Sequence, residues 1–80
     1  KTQKGDINMQ NPFKKLADNE GTIRQLTAKL HPLSYATVCS YINGDNLKVS
    51  NRVKEILAQH YSDDEVSQIA NDYKVWRANR

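Results

Sequence analysis

Cysteine is almost missing from this chain: Cys39 is the only one in 80 residues. No intramolecular disulfide can form, so a disulfide framework is excluded, and a reducing compartment fits. Glycine is scarce as well, and its three copies include no G-x-x-x-x-G-K-[ST] run, which leaves no phosphate-binding loop for a nucleotide. Apolar runs are short. None approaches the roughly 20 residues of a membrane-spanning helix, and no basic–apolar–small leader pattern stands out. The expectation is a soluble, cytoplasmic chain with no membrane partner. His31, Cys39 and His60 are too few and too irregularly spaced for a zinc site, so no metal or cofactor is expected. Strand signals and internal repeats are both missing.

What is present suits one small globular domain. Hydrophobic residues make up 38% of the chain and charged ones 26%, a balance that argues against wholesale disorder. A domain this short has a thin core and modest stability. The net charge of +3 and pI near 9.1 favour an acidic partner such as nucleic acid. Many ordinary domains are equally basic, so charge alone decides little.

Residues 1–10 are polar and aperiodic and read as a flexible N-terminal arm. Asn11-Pro12 then starts a helix, with Asn11 as N-cap, apolar Phe13, Leu16 and Ala17 on one face, and Gly21 as the stop. Thr22 opens a second helix through a capping box with Gln25, and Ile23, Leu26 and Leu30 form its stripe. His31-Pro32-Leu33 interrupts that pattern. Ser34 caps a third helix that runs to about Asn43, with Val38, Tyr41 and Ile42 inward. Asn43-Gly44-Asp45-Asn46 is a dense turn signal, and a fourth helix follows with Val49, Val53, Ile56 and Leu57 at helical spacing. The last helix has a capping box from Ser62 to Glu65, acids in its first turn and Lys74, Arg77 and Arg80 at its end. The fold expected is all-α: a compact bundle of about five short helices, residues 11–80 forming a single domain.

The second and third helices carry the functional signal. Two short helices joined by a tight break are the arrangement of a helix-turn-helix, whose second helix lies in the DNA major groove. With its apolar stripe inward, the third helix leaves Tyr35, Ala36, Cys39, Ser40 and Asn43 outside. None is charged. A surface helix with no partner more usually displays Lys and Glu, whereas small neutral side chains let a duplex approach. Phosphate contacts are expected from the helix starts at Thr22 and Ser34, with Arg24, Lys29, Lys48 and Arg52 flanking the same face.

From Thr22 through Leu30, and from Leu33 through Asn43 into Gly44-Asp45-Asn46-Leu47-Lys48-Val49-Ser50, the sequence resembles the lambda-repressor-like helix-turn-helix superfamily. More narrowly, it is similar to the N-terminal DNA-binding domains of the phage Mu transposition protein B group. The resemblance covers about half the chain, from Thr22 to about Tyr61. It implies a DNA-binding module of a phage or mobile-element regulator or transposition protein, cytoplasmic and nucleoid-associated. The contacts it implies run through Ser34, Tyr35, Ala36, Ser40 and Asn43, with Thr22 at the backbone. The larger members of that group also carry an ATPase; without its phosphate loop, this chain is expected to be a DNA-binding fragment or a stand-alone relative. One departure stands out. The superfamily's turn usually holds a glycine, where this chain has His31-Pro32 and one extra residue, so the turn must be built differently.

Bland readings compete at several positions. Tyr73 and Trp76 are expected as packing anchors, with a homodimer interface as the alternative. Asp63, Asp64 and Glu65 are explained by the helix dipole without a metal. Cys39 is expected to be a quiet thiol. The alternative function is a protein-interaction adaptor built on the same scaffold. No nucleophile–base pair or carboxylate pair suggests an enzyme or a small-molecule substrate, and no aromatic platform motif suggests an RNA binder.

Overall fold

In the computed structural model, which describes residues 10–79, every helix begins where a side-chain oxygen meets an orphan amide. The helices are α1 (Pro12–Glu20), α2 (Ile23–Lys29), α3 (Tyr35–Asn43), α4 (Asn51–Leu57) and α5 (Asp63–Ala78). Asn11 Oδ1 accepts from the Phe13 amide at 2.8 Å, Thr22 Oγ1 from Gln25 at 3.1 Å, and Ser34 Oγ from Thr37 at 3.1 Å. Ser50 and Ser62 do the same for Val53 and Glu65. The box at Ser62 is reciprocal, since Glu65 accepts from the Ser62 amide at 3.0 Å. At Thr22 the threonine half forms, while the Gln25 side chain folds back beside Gly21. The expected arm lies outside the described residues, apart from Gln10.

Helix ends are as well marked as starts. Gly21 closes α1 at φ 114°, its N–H donating to Ala17 O at 2.9 Å. Gly44 follows α3 in the left-handed region, at φ 79° and ψ 24°. There the Asp45 N–H reaches back to Ser40 O at 2.9 Å and the Gly44 N–H to Tyr41 O at 3.2 Å, the paired bonds of a Schellman motif. The α2–α3 connection has no such residue. Its backbone carries a cis His31–Pro32 peptide and no positive φ, and the Leu33 amide closes the turn on Leu30 O at 3.0 Å.

The five helices of the described residues share one core: Phe13 and Ala17 from α1, Leu26 from α2 and Leu30 at its C-cap, Val38 and Tyr41 from α3, Val53, Ile56 and Leu57 from α4, Val66 and Tyr73 from α5. Val49 belongs to this core but precedes the cap of α4, so it is buried from the loop and not from within the helix, as its spacing suggested. At the centre the rings of Phe13, Tyr41 and Tyr73 meet pairwise at 4.8, 5.6 and 5.4 Å, with Trp76 at 6.0 Å from Tyr73. Tyr73 and Trp76 are packing anchors here. Among the described residues, no helix is long and apolar enough to cross a membrane.

Candidate nucleic-acid interface

Helix α3 is fastened at one end. The buried Asn11 side chain, besides capping α1, donates from Nδ2 to Tyr41 O at 2.9 Å, which also accepts from the Gly44 amide, and to Ile42 O at 2.8 Å, a carbonyl that the helix C-terminus leaves over. Arg77, from the far end of α5, donates Nε to Gly44 O at 3.0 Å. The loop from Gly44 to Ser50 is tied down as well. Tyr73 Oη donates to Asn46 O at 2.6 Å, Asn46 Nδ2 donates to Ser40 Oγ at 2.7 Å, and the Ser50 amide donates to Tyr41 Oη at 3.2 Å.

The other end of α3 is open. Ser34, Tyr35 and Ala36 are exposed, Tyr35 retaining 45% of its surface. Ser34 Oγ is engaged as the cap and pairs with Thr37 Oγ1 at 2.9 Å. Arg24, exposed near the start of α2, places its guanidinium carbon 5.2 Å from the centroid of the Tyr35 ring. A cation over an exposed ring contributes about 0.5–1 kcal/mol. That contact brings the first turns of α2 and α3 together, and with them Thr22, Arg24, Ser34, Tyr35 and Ala36.

The remaining expected site residues scatter. Asn43 is exposed at the opposite end of α3, and Lys48 is exposed in the tied loop. Ser40 is half-buried, and both of its bonds are internal: it donates to Thr37 O at 2.7 Å and accepts from Asn46. Its hydroxyl braces the loop. Cys39 is a half-buried free thiol. Lys29 does not flank the α3 face as expected. Its ammonium pairs with Glu20 at 2.9 Å and lies 4.8 Å from the Tyr61 ring centroid, joining the end of α1 to the α4–α5 connection. The Glu20 hydrogen bond and then the Tyr61 hydroxyl raise the Lys29 pKa above its ordinary value. Arg52 is exposed in the first turn of α4.

Sequence reasoning missed the supporting residues Asn46 and Arg77 and half the role of Asn11. The capping signal Asn11-Pro12 was visible. Its donors reach residues 30 and 31 positions away, a pairing that no local pattern announces.

Two open grooves flank α1. One, of about 280 Å³, runs between α1 and α5 past Tyr61, Glu65, Ile69 and Asp72; the other holds Asn11, Lys14, Ile42 and Trp76. Among the described residues, no group of three or more His, Cys, Asp or Glu is placed to hold a metal ion. Comparison with protein-family models, curated proteins and solved structures returns no match.

Proposed function

We propose that this chain is a non-catalytic duplex-DNA-binding module in which α2 and α3 act as a helix-turn-helix. In this reading α3 enters the major groove by its open first turn, and phosphate contacts come from Thr22, Arg24, Lys48 and Arg52. One observation carries it. The displayed side of α3 has no charged side chain, while cationic Arg24 stands at its open end and the anchoring bonds all lie at its other end. A neutral, small-residue helix face flanked by cations admits a polyanion closely, and the cations supply the sequence-independent part of the affinity. Lys29 drops out of the phosphate set because Glu20 neutralises it.

The test is a salt titration of binding to a random-sequence 20-base-pair duplex, followed by backbone amide shifts at saturation. The logarithm of affinity should fall linearly with the logarithm of salt, with a slope near 0.9 per phosphate neutralised. Amide shifts should cluster on Thr22 to Arg24 and Ser34 to Ala36. Absence of binding at low salt would retire the proposal.

A second reading, the protein-interaction adaptor, draws on Leu47. That side chain is 76% exposed in a loop whose backbone is held at several points, so it would meet a partner without reordering of the loop. If duplex DNA leaves the amide spectrum unchanged, this loop is the surface to pursue.

A further inference from the structure

We infer that Arg24, held over the ring of Tyr35, reads a guanine in the major groove, with Tyr35 as its positioning residue. The inference rests on the DNA-binding reading above and moves Arg24 from its phosphate contacts to a base edge, with Tyr35 beside it. Three observations point the same way. The pair stands at the open end of α3, beside the side chains that would enter the groove first: Arg24 is the second residue of α2 and Tyr35 the first of α3. Next, the guanidinium is restrained by a ring and not by a carboxylate. Among the described residues Arg24 forms no ion pair, whereas Lys14 is bound to Asp18 and Lys29 to Glu20. A carboxylate would neutralise the cation and occupy its donors. A ring does neither, and leaves the hydrogen-bonding edge open to an incoming acceptor pair.

The third observation concerns what the neighbours lack. Ala36 has only a methyl group to offer, and the Ser34 hydroxyl already serves its own helix. The one side chain in this corner able to make two parallel donations is Arg24. Guanine presents two acceptors, O6 and N7, to the major groove, and the fork of arginine matches them. A phosphate would ask less of the residue: charge alone suffices, and lysine would serve nearly as well. The two roles therefore separate on conservative substitution.

The experiment uses the full 80-residue chain. Duplexes are enriched on it from a randomised 20-base-pair pool, and the recovered duplex is titrated beside the same duplex carrying 7-deazaguanine, which lacks N7 but keeps pairing and phosphates. Wild-type protein should bind the modified duplex roughly tenfold or more weakly. R24M, which has neither charge nor donors, should bind both duplexes equally, while R24K should keep the slope of affinity against salt and lose part of the discrimination. Y35A should lose most of the discrimination and Y35F keep it, since the ring and not the hydroxyl positions the guanidinium. Both tyrosine variants alter an exposed side chain, and their helicity is checked by circular dichroism. Equal wild-type affinity for the two duplexes overturns the guanine assignment and leaves DNA binding standing. Discrimination that survives in R24M overturns the role of Arg24. Failure to enrich or bind any duplex at low salt removes the DNA reading itself, and the inference with it.

Discussion

Asn11 makes one side-chain amide serve two helices: its oxygen caps α1 and its nitrogen donates to Tyr41 O and Ile42 O at the end of α3. Replacing it with alanine removes a cap, usually about 1 kcal/mol, and leaves the part-buried Ile42 carbonyl short of a partner. N11A should therefore lower unfolding free energy by about 2–3 kcal/mol in urea. N11D separates the two roles. It keeps the cap acceptor but turns an oxygen toward two carbonyls, so it should be at least as damaging; wild-type stability in N11D would mean that the donors contribute nothing. Lys29 supports a prediction about pH. Its folded pKa is raised, by Glu20 first and Tyr61 second, so its contribution is complete below the unfolded value near 10.5 and is lost only as pH climbs through the folded one. The stability gap between wild type and K29M should stay flat from pH 7 to 9, as far as Lys29 governs it, and narrow above 10.5. Narrowing already between pH 7 and 9 would assign the effect to another group.

At the scale of elements, the two helix-ending glycines differ in what holds them. Gly44 sits in the left-handed region, which an alanine enters at a cost of about 1 kcal/mol. Gly21, at φ 114° and ψ −55°, lies outside that region, and a Cβ there would run into the Gln25 side chain. G21A should accordingly lower the melting temperature more than G44A, and trimming Gln25 in a G21A/Q25A double variant should restore part of the difference. A reversed order would show that the α1–α2 junction relaxes freely. The same elements show what was legible in the sequence. Starts and stops were, because caps and glycines act within four residues: Asn11, Thr22, Ser34 and Ser62 were all placed from local pattern. The position of Val49 was not. Its spacing matched a helix, but burial from a loop leaves the same periodic trace as burial from a helix face. The α2–α3 turn was legible only as a departure, and it is made without any left-handed residue.

Across the whole molecule, the site residues split by how far their partners lie. Tyr35 and Ala36 were readable as outward because exposure follows from helical phase. Ser40 has the same phase argument, yet a loop residue, Asn46, turns back and takes its hydroxyl. Lys29 likewise is claimed by Glu20, at the end of α1, and Tyr61, from the α4–α5 connection. Arg77 belongs to the same long-range class, and it carries the last prediction. R77A should cost about 1.5–3 kcal/mol, the usual worth of a hydrogen bond from a charged donor. Amide exchange should quicken at residues 44–50, with little change at residues 12–20; uniform quickening would mean that α5 supports the domain as one cooperative unit. The anchoring of α3 by one end has a wider consequence. Asn11, Tyr73 and Arg77 act on its C-terminal end and the loop beyond, while Tyr35 and Ala36 stand on its display, so the two sets share no side chain. Descent can then exchange the displayed letters without renegotiating the frame that holds them. Substitutions at the displayed positions should accordingly leave stability nearly unchanged.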